Sequence, residues 1–305
     1  MKLSFLSVLF FLSLLAMALS CKKDRDVHPT EEWFTDPTNL PQPPQGCKIV
    51  KTTYKDPSDG RTGDLLWEPE TITLDDGRKM PISCVAKTTY LYDNQNRILE
   101  IRTQLLNNLY WLYKYTYTRD FIITYQEYLA LGTTKPAISI DTTSLNDQGL
   151  INRRQGLGEP FYFYSQDNQL VDREPDRPGQ SQVYVDGNMF EYVVYQSWGM
   201  RDGEWFAYDR FLKHYSYLTT RPNLPVIHQF RGNESHNLPL KEIWQLESSP
   251  DFGTQTVYQK TYTYWYDQLG QVKRRIVHGK PLIGGWLIED DLYGVGVTDF
   301  EYECS

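Results

Sequence analysis

Five histidines, at positions 28, 214, 228, 236 and 278, are the natural place to look for metal or acid–base chemistry. None sits in an H-E-x-x-H motif and no two have close metal-ligand spacing, so they read as structural or surface histidines. Serine is common, yet no G-x-S-x-G elbow, P-loop or dinucleotide-binding glycine pattern occurs. Thirty-nine acidic residues do not single out a glycosidase pair, because such carboxylates are brought together by folding and not by spacing. No catalytic, cofactor-binding or metal-binding residue is therefore named. A more specific arrangement is Trp198-Gly-Met-Arg-Asp-Gly-Glu-Trp205, two tryptophans flanking a turn. Rings near a loop tip can stack on sugars, although Trp and Tyr more often serve as core or cross-strand pairs. Trp198 and Trp205 are the candidate ligand platform, with a glycan or a surface protein as the partner.

The remaining chemistry lies in four cysteines. Met1-Lys2 is a short basic start, followed by an apolar stretch from Leu3 to Leu19 that ends in Ala-Leu-Ser-Cys21. Polarity returns at once in Lys22-Lys-Asp-Arg-Asp26, the pattern of a cleaved export signal spanning residues 1–20. The small residue before Cys21 resembles the bacterial lipobox, with Leu and Ala in the reverse of their usual order. That resemblance implies acylation of Cys21, attachment to the membrane through the N-terminal lipid, and residence at the outer membrane, on the cell surface or the periplasmic face. Residues 21–46 carry prolines at 29, 37, 41, 43 and 44 and read as an extended tether, with packing of Trp33 and Phe34 on the domain as the alternative. Cys47, Cys84 and Cys304 are an odd set. Either one disulfide with one thiol left over or three buried thiols would satisfy them, and Cys47 with Cys84 is the disfavoured pair. The formal charge of −8 argues against a nucleic-acid partner, and no apolar run past residue 20 approaches the roughly 20 residues of a membrane-spanning helix.

The elements that would position these residues are strands. Of 305 residues 23 are tyrosine, and the aliphatic residues outside the signal are few. Tyr110–Thr118 (YWLYKYTYT) places Trp111, Tyr113, Tyr115 and Tyr117 on one face, and Tyr258–Tyr266 alternates in the same way. Leu238–Leu246 also alternates and is read as strand. Tyrosine rings are expected to cover one face while their hydroxyls reach water. Glu289–Glu303 holds six acids and no Lys or Arg, which reads as a solvated sheet edge that discourages pairing.

Four segments align on their turns: Tyr92–Ile98, Leu145–Ile151, Tyr164–Leu170 and Tyr266–Val272. Asn96, Gly149, Asn168 and Gly270 fall at one shared position, where a hairpin built on a type I turn needs a residue that accepts positive φ. The Asp or Asn before it can bond the turn backbone, so these acids are not metal ligands. Asn-Leu-Pro recurs at 39–41, 223–225 and 237–239. These turns resemble the YD-repeat (Rhs/teneurin-type) pattern, and more closely a group of Gram-negative lipoproteins classed as a domain of unknown function with a porin-like fold. The resemblance implies an all-β domain over 47–305: a large curved antiparallel sheet, a meander of repeated hairpins, open or partly closed like a barrel. It implies no chemistry. Tyr-x-Tyr runs alternating with Thr, Lys and Gln do not make the apolar outer band of a membrane barrel. The expected role is non-catalytic binding or scaffolding. The rival is an exported hydrolase, a glycosidase with a carboxylate pair.

Overall fold

The structure, a computed structural model, describes residues 33–57, 67–74, 76–105, 108–154, 162–172, 180–201, 204–248, 254–281 and 294–304. The segment 1–20, Cys21 and the first part of the tether lie outside the described residues. Seventeen strands form one sheet. In chain order they are β1 (Lys48–Asp56), β2 (Trp67–Thr73), β3 (Lys79–Tyr92), β4 (Ile98–Leu105), β5 (Tyr110–Tyr117) and β6 (Phe121–Leu129). Then come β7 (Ala137–Leu145), β8 (Ile151–Arg154), β9 (Phe163–Tyr164), β10 (Leu170–Asp172), β11 (Gln180–Val185) and β12 (Asn188–Arg201). The last five are β13 (Glu204–Pro222), β14 (Asn237–Ser248), β15 (Thr254–Tyr266), β16 (Val272–Pro281) and β17 (Val295–Glu303). Every ladder between them is antiparallel, running from β9 through β10 and onward to β17, then β1, β3, and β4 to β8. β2 pairs with the first part of β3. The sheet is curved but not closed into a barrel.

Strand alternation puts the connections β3–β4, β5–β6, β7–β8, β9–β10, β11–β12, β13–β14 and β15–β16 on one rim, together with the start of β1 and the end of β17. The four aligned turns all lie there and repeat one another bond for bond. Asn96, Gly149, Asn168 and Gly270 have φ of 63°, 77°, 59° and 76°. Asp93, Asn146, Ser165 and Asp267 each accept two backbone N–H bonds, from the residues two and four positions on. Each turn is closed by the same pair of backbone bonds, such as Asn96 N to Asp93 O at 3.0 Å and Asp93 N to Arg97 O at 2.9 Å.

The tyrosine hydroxyls do not generally reach water. Near this rim six of them donate to a backbone carbonyl of another strand: Tyr92 to Ile49 (2.9 Å), Tyr117 to Ile98 (2.8 Å), Tyr164 to Ile151 (3.0 Å), Tyr217 to Met189 (2.7 Å), Tyr264 to Pro239 (2.7 Å) and Tyr302 to Val272 (2.8 Å). Burial pushes the phenols of Tyr92, Tyr117, Tyr264 and Tyr302 well above their ordinary value, so they remain donors. A neutral bond of this kind contributes about 1 kcal/mol.

Two sequence expectations are corrected. Phe34–Gly46 is not a free tether: Phe34 exchanges two 2.8 Å backbone bonds with Tyr266. Arg221, buried, donates to the carbonyls of Pro37, Leu40 and Pro41. The carbonyls of this proline-rich segment accept the hydrogen bonds of a guanidinium that has to be satisfied inside. Nor is the acidic terminal strand an edge, since β17 is paired on both sides, with β16 and β1. Asp299 joins Lys55, Glu70 and Arg274 in a cluster of two buried cations and two half-buried carboxylates. Lys55 Nζ lies 2.9 Å from both carboxylates, and Arg274 Nη2 lies 3.0 Å from Glu70 and 2.9 Å from Asp299. Losing one member of such a cluster strands the others and costs about 3–5 kcal/mol. The cluster adjoins an aliphatic core of Ile72, Leu74, Ile82, Ile276, Val295 and Val297. The cysteines follow the first of their two expected arrangements: Cys47 is bridged to Cys304, and the left-over thiol is Cys84, buried with Sγ 3.8 Å from Ala86 O. In β3 the residue Cys84 pairs with Lys55, at the far end of β1 from Cys47, so that pair is out of reach.

The turns supply a graded test. A Cβ at Gly149 meets nothing within 4 Å, whereas one at Gly270 would fall 2.1 Å from Pro41 O. Gly149→Asn is expected to cost less than about 1 kcal/mol in urea unfolding. Gly270→Asn is expected to cost on the order of 2 kcal/mol or more, because the docked segment must move. Equal costs would contradict this docking.

Candidate functional site

A curved sheet must fill its concave face, and one connection does most of this. Between β13 and β14 the chain runs through Asn223–His236, far longer than the tight turns beside it, with one 3₁₀ turn at Gln229–Arg231. Its apolar residues sit in two cores at once. Leu224 and Ile227 pack on a cluster of Ile49, Leu238, Tyr264, Tyr266, Val272 and Phe300. Ile227 also reaches a second cluster, where Phe230 is buried with Ile98, Ile101, Tyr115 and Ile122. The Phe230 ring lies 5.6 Å from that of Tyr115 and 6.5 Å from that of Tyr117.

Polar contacts fix this plug to the rim turns. Asn233 N donates to Asn168 O at 2.8 Å, and His236 N to Gly187 O at 3.0 Å. Asn223 Nδ2 donates to Ser235 O at 2.9 Å, and Asn237 Nδ2 to Arg221 O at 2.8 Å. Two of the three Asn-Leu-Pro repeats mark where the plug begins and where it ends; the third is the segment held by Arg221. The repeat was legible in the sequence, and its meaning was not.

Beside the plug the concave wall is polar. On β13–β15 the buried carboxylate of Glu242 is fully engaged: it accepts from Tyr262 Oη at 2.7 Å, from Trp244 Nε1, and from Tyr215. Lys213 Nζ stands 3.8 Å above the Trp244 ring. On β5–β7 the register builds two inward rows, Tyr113–Gln126–Ser139 and Tyr115–Thr124–Asp141. Gln126 Nε2 donates to Tyr113 Oη at 3.3 Å, and Ser139 Oγ to Gln126 Oε1 at 3.5 Å. These rows and the facing Phe230, Arg231, Tyr162 and Tyr164 enclose a slot of about 320 Å³. A second cavity, about 480 Å³ and lined largely by proline and apolar side chains, lies at the rim between Pro43–Pro44 and Tyr266.

The candidate residues from sequence are dispersed. Trp198 and Trp205 lie near the ends of β12 and β13, opposite Ala207 and Met200, but their side chains and the turn between the strands lie outside the described residues. Among the other histidines, His214 Nε2 is 3.1 Å from Gln245 Oε1, and His278 Nε2 is 2.9 Å from Arg78 Nη2. Among the described residues no three His, Cys, Asp or Glu come together as metal ligands. The residues that line the slot were missed, since ordinary Thr, Gln, Ser and Asp on alternating strands carry no motif.

The outer face of the same strands bears charge. Glu100 and Lys114 are register partners there, Arg102 pairs with Glu100 at 3.3 Å, and Lys51 pairs with Glu301 at 2.7 Å. Charged side chains on a lipid-facing barrel surface cost about 2–4 kcal/mol each at mid-membrane for Arg and Lys.

No family model and no curated protein matches the chain. Among solved structures it is similar to a porin-like protein from Bacteroides uniformis, with TM-score 0.40 and 13% identity over 88% of this chain and 100% of that one. It is similar also to a porin-like protein from Bacteroides vulgatus, with TM-score 0.28 and 10% identity over 84% of this chain and 98% of that one.

His228 gives the plug a measurable signature. Its half-buried ring lies between Tyr115 (6.0 Å) and Phe230 (5.4 Å), and Nδ1 is enclosed without a hydrogen-bond partner. Burial, assisted by Arg231, pushes its pKa down from 6.5 to about 4. The unfolded chain therefore takes up the proton first. The stability present above about pH 6.5 declines as pH falls toward 4, where the folded form also protonates. His228→Leu is expected to remove this part of the slope in urea titrations between pH 4 and 7. An unchanged slope would place the ring in water.

Proposed function

We propose that the chain is an exported, lipid-anchored protein of the outer membrane or cell surface that binds a ligand and performs no chemistry on it. The observation that carries the binding reading is the concave face. It holds a polar, aromatic-walled slot, and several described carboxylates elsewhere on the sheet serve the fold. Asp93 and Asp267 close turns, Glu70 and Asp299 belong to the ion cluster, and Glu242 is sealed by its three donors. The charges on the outer face favour a protein attached by a lipid over one that spans the membrane. The Cys47–Cys304 bridge suits an oxidising compartment outside the cytoplasm. The repeated rim turns support the YD-repeat likeness at the level of hairpin design.

Two experiments test this reading. Metabolic labelling with palmitate is expected to mark the wild-type chain in the membrane fraction and to leave Cys21→Ala unlabelled and released; membrane retention of the variant would overturn the anchor. On a glycan array the wild type is expected to bind a restricted set of glycans, and the Trp198→Ala, Trp205→Ala double variant to bind them weakly. Flat signals across all glycans would remove the glycan as partner.

One observation favours the hydrolase. Local desolvation raises the carboxyl of Glu234 above its ordinary value against the pull of Arg275 and Arg231, although the residue as a whole is exposed, and a general acid needs such a shift. Release of nitrophenol from aryl glycosides, lost in Glu234→Gln, would establish that reading in place of the binding one.

A further inference from the structure

We infer that the rim cavity beneath the proline segment binds an amphiphilic carboxylate, a single carboxylate group on a compact apolar body. This goes beyond the binding reading above, since it concerns another cavity and another ligand chemistry. Three features carry it: how the cavity is held open, what lines it, and the state of Arg221.

The segment that roofs the cavity is fixed at both ends. Arg221 holds the carbonyls of Pro37, Leu40 and Pro41 on one side, and the bridge from Cys47 to Cys304 holds the other. Between these points Gln42-Pro-Pro-Gln-Gly46 crosses the rim, and its two prolines have no N–H with which to join the sheet. The floor is made of Leu238, Tyr266 and Val272, which are 1%, 1% and 6% exposed and belong to one core cluster. The space between roof and floor is about 480 Å³, inside the roughly 300–1,000 Å³ range of ligand pockets. A covalent bond at one end and three hydrogen bonds at the other resist collapse of the roof onto the floor.

The described lining is mostly apolar, with Pro43, Pro44, Leu224 and Pro225 beside the floor residues. It contains no Asp, Glu, Lys or His, and its one ionised side chain is Arg221. That residue is 3% exposed, as Arg274 is, but the two are matched differently. Arg274 meets the carboxylates of Glu70 and Asp299, whereas the three partners of Arg221 are all neutral carbonyls. A guanidinium has five N–H donors. Nη1 uses one of its two and Nη2 uses both, so one N–H on Nη1 and that on Nε meet no acceptor among the described residues. Buried charges are ordinarily paired with an opposite charge. A carboxylate supplies the missing counter-charge and oxygen acceptors for the open donors, while an attached hydrocarbon covers the proline and leucine walls. The surrounding charge agrees. Burial raises the phenol of Tyr302, another lining residue; Asp267 adds to the rise and Arg275 opposes it. Asp267 is already held by the N–H groups of Leu269 and Gln271, whereas the Nε of Arg275 is buried without a hydrogen-bond partner. A cation is repelled by Arg221, and a polyol leaves the apolar walls uncovered.

The test uses the full chain in phosphatidylcholine nanodiscs, with empty discs as the blank for partitioning into lipid. Calorimetry is run with octanoate and 3-phenylpropanoate as alkyl and aryl carboxylates. Octan-1-ol and octylammonium serve as uncharged and cationic counterparts, and acetate as the head group alone. At least one of the two carboxylates is expected to bind saturably and about tenfold or more tighter than octanol, with no binding of octylammonium or acetate. Arg221→Gln is expected to weaken the carboxylate about tenfold and to leave octanol within about threefold of wild type. Leu224→Trp fills the cavity and leaves Arg221 in place. It is expected to weaken carboxylate and octanol alike, and it decides the matter if Arg221→Gln does not fold. Arg102→Ala, on the outer face of β4, is expected to leave every affinity unchanged. The site is overturned if neither carboxylate binds saturably, or if octanol or octylammonium binds as tightly as the carboxylates. Full carboxylate affinity in Leu224→Trp, or a carboxylate preference that survives in a folded Arg221→Gln, overturns it equally.

Discussion

A sheet that curls has to be filled from within, and in this chain few aliphatic side chains are available for the task. The connection Asn223–His236 meets the constraint by laying Leu224, Ile227 and Phe230 across the concave face, where they unite the cores of β1 and β14–β17 with that of β4–β6. Much else follows from that placement. The rim turns at Asn168 and Gly187 become docking points for the plug. Arg221, at the end of β13, becomes the anchor for the N-terminal segment that crosses the same rim. What the plug leaves uncovered on β5–β7 is the slot.

Tyrosine suits such an interior because it combines ring area with a donor at the far end. A leucine in place of Tyr92 or Tyr302 would cover similar surface but leave the rim carbonyls of Ile49 and Val272 without this partner. Six repeated phenol–carbonyl bonds tie one strand end to the next. Elsewhere the chain meets the same scarcity of aliphatics with charge, in the closed cluster of Lys55, Glu70, Arg274 and Asp299, where mutual neutralisation allows Arg274 to be only 3% exposed. Such clusters favour a single arrangement more than they raise stability.

Local features of this fold were legible in the sequence. Alternation located the strands, and the aligned Asn and Gly positions located four turns with their backbone sign, because both follow from interactions within a few residues. Long-range pairing was not legible. The acids of β17 look like an edge until Lys55 arrives from β1, far away in the chain, beside Arg274 of the preceding strand. The prolines of 37–44 look like a spacer until Arg221 collects their carbonyls. Even the slot is assembled from common polar residues whose meaning depends on which face of which strand is turned inward. Asn-Leu-Pro was the one sequence trace of the plug, visible as a repeat but mute about its purpose.

The bridge between Cys47 and Cys304 joins residues 257 apart, just before the first strand and just after the last. Since β1 and β17 also pair side by side, the described domain from β1 to β17 is a covalent ring whose closure coincides with a ladder of the sheet. In a compartment with proteases, cuts fall on exposed connections. A single cut anywhere between the two cysteines opens the ring into one linear molecule and releases no fragment. The sheet can then hold its register through its ladders while the peptide chain is broken, a tolerance of damage that an unbridged meander of hairpins lacks.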